Sequence, residues 1–133
     1  MTPTESLARL RIARARATLD DADMLIEGKR WNGALNRLYY AAFYAARALL
    51  ATKNLDSSRH SGVISLFQEH FVRTGSVPQE TARVLPRLFE KRQTTDYGDY
   101  AEATGDDVAS LRIQVEGFLK ACEDLLRSNS VLN

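Results

Sequence analysis

The sequence predicts an all-α protein, an up-and-down bundle of four to five helices. Two observations carry this. Apolar residues recur at i, i+3, i+4 and i+7 along nearly the whole chain. No segment alternates apolar and polar residues as a half-buried strand would. The chain of 133 residues is also long enough to bury a real core, and its extent fits one domain, residues 1–133.

The first helix is expected from about Thr4 to Glu27, with Leu10, Ala13, Ala17 and Met24 as its apolar face and Gly28 ending it. Its arginines divide between two sides, Arg11 and Arg14 on one and Arg9 and Arg16 on another. They make no single stripe, so the expectation is a solvated face rather than a nucleic-acid patch.

The second helix, about Trp31 to Lys53, contains "LNRLYYAAFYAARALL". Leu35, Leu38, Ala42, Ala45 and Leu49 form one apolar face, while Asn36, Tyr40, Phe43 and Arg47 form another. A helix apolar on more than one side is expected to be central and wrapped by others. Its polar members then need partners, because a buried unpaired polar group costs ~1–3 kcal/mol.

"NLDSSRHSG" reads as a loop and helix start, with Ser57 or Ser58 as N-cap. The third helix carries His60, Val63, Ile64, Phe67 and Phe71, and "TGSVP" stops it. The fourth covers roughly Gln79 to Thr95, where Pro86 either kinks it or marks its true first turn. "DYGDYAEATGD" is expected to be loop, and Thr104 with Asp107 resembles a capping box. Val108, Leu111, Val115, Phe118, Cys122 and Leu125 give the fifth helix its core stripe.

Several function classes fall away. A net charge of +1 gives no whole-molecule case for nucleic acid, although local patches remain open. One cysteine, Cys122, excludes an intrachain disulfide and a cysteine-rich zinc site. Arginines interrupt every apolar run near the N-terminus, so no secretory core forms there. The longest uncharged run, Leu38 to Ala46, is too short to cross a bilayer. A cytoplasmic protein is expected. There is no phosphate-binding glycine loop, paired-histidine metal motif or nucleophile elbow. His60 and His70 are ten residues apart, ~15 Å along a helix, too far to share a metal. No metal and no cofactor is therefore expected. His70 reads as surface or rim, and His60 as a core-edge residue capping backbone near its helix start.

One further stretch draws notice, "EKRQTTDYGDY" from Glu90 to Tyr100. Arg92 and Asp96 stand at i, i+4, an intrahelical pair worth at most a few tenths of a kcal/mol in this orientation. With Tyr97 they also place a cation, a carboxylate and a phenol at a helix end, where a phosphate would find donors.

Three blocks in order, "ALNRLYYAAFYAARALL", "SSRHSGVISLFQEHFVRTG" and "LFEKRQTTDYGDY", resemble the HEPN domain family (higher eukaryotes and prokaryotes nucleotide-binding). The resemblance covers about Leu19 to Leu126. It implies a helical bundle, a homodimer, and a place beside a minimal nucleotidyltransferase in a toxin–antitoxin-like module. It sets Asn36 on the second helix opposite a basic motif beginning at Arg92. The implied nucleotide- or RNA-binding residues are Asn36, Arg37, Tyr40, Arg92 and Asp96, and the catalytic candidates are Arg92 and Tyr97. Ribonuclease members carry Arg, four to six residues, then His. Here the fifth residue after Arg92 is Tyr97, and no histidine follows His70. Tyrosine, with a pKa near ~10, is a poor general base beside histidine at ~6.5. Whether the chain cleaves RNA is thus left open, as is a purely protein–protein role. Some transferase partners adenylylate a tyrosine near this motif, which makes Tyr97 and Tyr100 the modification candidates.

Overall fold

The computed structural model describes the backbone of residues 1–97 and 102–133, and the side chains of those residues except 94–97. The elements are α1 (Pro3–Glu27), α2 (Trp31–Thr52), α3 (His60–Phe67), a π-helical turn (Gln68–Val72), α4 (Gln79–Ala82), α5 (Val84–Tyr97) and α6 (Gly105–Ser128). No strand occurs among the described residues. The all-α bundle expected from the periodicity is what forms.

Helix α2 is its centre. It packs against α1, α3, α5 and α6. Leu35, Leu38, Ala42, Ala45 and Leu49 are fully buried, and so are Tyr39, Ala46 and Leu50 from other sides. The aromatic surplus of α2 is largely absorbed within one chain: Tyr39 and Phe43 are buried, Tyr40 and Tyr44 half-buried.

Helix α1 departs from expectation. Leu10 is 61% exposed and Met24 72%, and Ala13 and Ala17 also face solvent. The buried set is Ala8, Ile12, Ala15, Thr18, Leu19 and Ala22. Both sets have helical spacing. The second wins because its small side chains let α1 lie close against an α2 face that is itself alanine-rich, so fit rather than side-chain size decides. The N-terminus is capped by Thr2, whose Oγ1 accepts the Glu5 N–H at 3.2 Å, with Pro3 in the first turn. At the C-terminal end it is Lys29, not Gly28, that takes the left-handed conformation (φ 59°).

The α1 arginines do lie on two sides, but they are tethers rather than a solvated face. Arg11 donates to the Arg47 carbonyl at 3.2 Å, and Arg14 lies over the Tyr44 ring. Arg9 donates to the Val131 carbonyl at 2.6 Å, and Arg16 reaches Glu116 and Glu123 on α6.

The start of α3 also differs. Its N-cap is Arg59, which has no side-chain cap bond, while Ser57 Oγ accepts the Arg59 N–H at 3.3 Å. Ser57 packs so tightly on Gly62 that a Cβ there would sit 2.1 Å from its Oγ. Beyond α3, Phe67 stacks on Phe71 and meets the edge of Phe118 from α6.

The expected fourth helix is divided. A single turn, α4, precedes α5, and Pro86 falls in the first turn of α5, where its missing N–H costs nothing. Helix α5 continues to Tyr97, past the expected end at Thr95. In α6, Thr104 caps the Asp107 N–H at 3.1 Å, but the Asp107 carboxylate takes Lys91 at 3.1 Å instead of closing a reciprocal box. Leu126 rather than Leu125 completes the α6 core stripe. Among the described residues no helix is long and apolar enough to cross a membrane.

Candidate functional site

The polar residues of α2 lie one turn apart on a face shared with α3 and α5. Asn36 Oδ1 accepts from Arg37 Nε at 3.2 Å and from Arg37 Nη2 at 2.7 Å. That holds the Arg37 guanidinium over the Tyr40 ring, 5.0 Å from its centroid. Arg92, from α5, lies 5.4 Å from the same centroid and 5.1 Å from that of Tyr39. Two guanidinium groups thus share one tyrosine ring. Each contact attracts by ~0.5–2 kcal/mol, more where water is excluded. Two like charges gathered at one ring also repel each other.

Tyr39 links this pair to α3. Its ring is fully buried, and its hydroxyl lies 2.8 Å from His60 Nδ1. The imidazole packs on Phe43 with centroids 4.3 Å apart. Burial pushes the Tyr39 phenol above its ordinary range, even with Arg92 beside it pulling the other way. Burial also lowers the His60 pKa, and the charges of Arg92 and Arg47 lower it further. His60 is therefore neutral at neutral pH. It does not cap backbone as expected; its Nδ1 is the partner of a buried phenol.

One turn further along α2, Arg47 Nη2 donates to Asp56 Oδ2 at 3.0 Å, and Arg11 reaches the same oxygen at 3.4 Å. Burial opposes ionisation of Asp56. The bonds from Arg47 and the Ser57 N–H, with the charges of Arg47 and Arg11, outweigh it and hold the carboxyl below its usual range.

Of the expected site residues, the structure brings Asn36, Arg37, Tyr40 and Arg92 together around one ring. The Tyr97 backbone closes α5, but its side chain and that of Asp96 lie outside the described residues, as does Tyr100. Tyr39 and His60 were not among the expected site residues. Tyr39 follows the buried Leu38 and reads as core. His60 sits in the "RHSG" block of the resemblance, and its place beside Arg92 depends on how the loop of residues 53–59 returns α3 against α2. Among the described residues no three His, Cys, Asp or Glu are gathered as a metal ion would require.

The HEPN domain profile matches residues 8–125. The chain belongs to the HEPN family. A UPF0332 protein of Thermotoga maritima is 45% identical over 85% of this chain and 86% of its own length. "Putative toxin MJ0605" of Methanocaldococcus jannaschii is 33% identical over 85% of this chain and 84% of its own length. The crystal structure of TT1696 from Thermus thermophilus superposes with a TM-score of 0.72 at 19% identity, covering 90% of this chain and 98% of that one. That likeness concerns the HEPN fold alone.

Proposed function

We propose that this HEPN protein is one component of a toxin–antitoxin-type pair whose other member is a minimal nucleotidyltransferase, and that it binds RNA or a nucleotide. The binding residues are Asn36, Arg37, Tyr40 and Arg92, with Asp96 and Tyr97 on the same end of α5. The observation that carries this reading is the pair of guanidinium groups on the Tyr40 ring. Arg37 and Arg92 come from separate helices, and their shared position suits a phosphate, which takes two donors from each planar guanidinium. The toxin name of the M. jannaschii relative supports the module.

The test pairs stability with binding. Arg92→Ala should lower affinity for RNA by at least roughly tenfold and reduce the salt slope by about 0.7 for a single strand. Thermal melts of the same variant report the structural cost of losing two ring contacts, ~1–4 kcal/mol together. If folded Arg92→Ala binds RNA and mononucleotides like the wild type, the site assignment fails and the bundle is only an interaction module. Such a protein is expected to be a cytoplasmic single-domain homodimer, and light scattering at tens of micromolar checks the dimer. Tyr97 and Tyr100 are the tyrosines the transferase would modify, and mass spectrometry after incubation with that partner and ATP locates the adduct.

A further inference from the structure

We infer that the depression where the loop before α3 meets α2 is a second phosphate subsite, built by His60 and Arg47. The ligand of this face is then a nucleic-acid strand carrying at least two phosphates rather than a lone mononucleotide. This rests on the nucleotide-binding reading above and narrows its substrate class.

The depression encloses about 530 Å³ and is lined by Phe43, Arg47, Asp56, Ser57, Ser58 and His60. Hydrogen-bond accounting sets the imidazole tautomer. The buried Tyr39 hydroxyl has His60 Nδ1 as its bonded partner, and a buried O–H needs an acceptor. Nδ1 therefore accepts, and the proton resides on Nε2. Nε2–H is left as a donor with no protein partner among the described residues. Arg47 supplies the charge beside it: its side chain is 27% exposed at the depression, while its buried Nε has no acceptor among the described residues and reaches a ligand only if the guanidinium shifts. Asp56 does not cancel the charge here, because one carboxylate serves both Arg47 and Arg11.

Distance separates this subsite from the first. Arg37 and Arg47 are ten residues apart on α2, ~15 Å along its axis. A phosphate over Tyr40 and one at Arg47 are then neighbours along α2, with His60, whose ring meets the edge of Tyr40, between them. The rings of Tyr40 and Tyr44 lie between the two arginines, half-buried, with guanidinium groups of Arg37 and Arg14 on their faces. Aromatic rings interleaved with arginines along a groove suit the bases and backbone of a single strand.

The groups facing His60 are Tyr39, Tyr40 and Arg47 from α2, Arg92 from α5, and Asp56 before α3, itself paired with Arg11 of α1. A phosphate seated here offsets the two arginine charges that disfavour protonated imidazole. Binding should then take up a proton at His60 and tighten as pH falls.

The experiment measures affinity of the full chain for ApA and ApApApA at pH 8 and pH 5.5. ApA has one internal diester; ApApApA has three, and its outer two stand two nucleotides apart and reach from one subsite to the other. Diesters stay ionised at both pH values, so a pH dependence of binding belongs to the protein. The wild type should bind ApApApA roughly tenfold or more tighter than ApA, and tighter still at pH 5.5. Folded His60→Gln should reduce that advantage to about twofold and abolish its pH dependence. Equal wild-type affinity for ApA and ApApApA overturns the second subsite whether or not the variant folds, while Arg92-dependent ApA binding keeps the first. An intact ApApApA advantage in folded His60→Gln overturns the role of His60. If the wild type binds neither, the nucleotide-binding reading fails and the subsite with it.

Discussion

Tyr39→Phe isolates the link between core and site. The ring stays, with its contacts to Tyr40, Phe43, Phe89 and His60 at centroid distances of 5.1, 5.6, 6.0 and 5.8 Å. No cavity opens. What goes is one hydroxyl–imidazole bond of 2.8 Å. Such a bond contributes ~0.5–1.5 kcal/mol net, and His60 is only half-buried, so water can serve the orphaned Nδ1. The expected loss is about 1 kcal/mol, or roughly 3–5 °C in Tm for a domain this size.

The second readout is the titration of His60. In the wild type, burial and the charges of Arg92 and Arg47 lower its pKa, and the phenol O–H further favours the neutral ring. Between that lowered value and ~6.5 the unfolded chain binds more protons than the folded one, so stability falls as pH drops through this window. Removing the hydroxyl should raise the folded pKa and flatten the slope. The assay is urea unfolding from pH 8 to 5.5 together with NMR titration of the imidazole. An unshifted or lower His60 pKa in Tyr39→Phe would refute the claim that Nδ1 accepts from Tyr39. It would also remove the tautomer on which the Nε2 donor depends.

Two further outcomes test the fold around the site. In Gly62→Ala the added methyl meets Ser57 Oγ at 2.1 Å and Ser57 Cβ at 2.9 Å, so the loop before α3 must move; melts should show a loss of ~1–3 kcal/mol, and an unchanged Tm would mean that Ser57 is not packed there. Leu10→Lys and Met24→Lys should each shift stability by less than about 0.5 kcal/mol in urea unfolding, because both side chains are exposed; a loss above about 2 kcal/mol would return this stripe to the core.

The sequence made the helices legible because each amphipathic segment repeats at 3.6 residues and is bounded by breakers. It also revealed that α2 is central, since no other segment is apolar on two sides. It could not orient α1. Leu10 and Met24 are larger than Ala8, Ala15 and Ala22, so a count of apolar bulk favours the wrong face. The right face is set by the alanines of α2, a tertiary property absent from any local window. The site was half legible for the same reason. Asn36, Arg37 and Tyr40 share a helix, and their proximity follows from spacing. The approach of His60 to Arg92, which are 32 residues apart, is made by α2 standing between them, with Tyr39 in contact with both.

The small net charge of +1 conceals a segregation that matters for binding. Where α1 meets α6, three arginines meet carboxylates directly. Arg112 holds Asp23 through two bonds of 2.9 Å, Arg16 spans Glu116 and Glu123, and Arg127 pairs with Asp124. On the α2–α3–α5 side the partners differ in kind. Arg37 donates to the Asn36 amide oxygen, Arg92 lies on two tyrosine rings, and Arg47 shares one carboxylate with Arg11. An amide orients a guanidinium without cancelling its charge, and one carboxylate offsets only one of two arginines, so Arg37, Arg47 and Arg11 leave this face a positive potential that the whole-chain sum averages away. A ligand drawn by that potential should bind this face with a salt slope set by local arginines rather than by net charge. Whole-molecule neutrality therefore does not weigh against a nucleic-acid partner here.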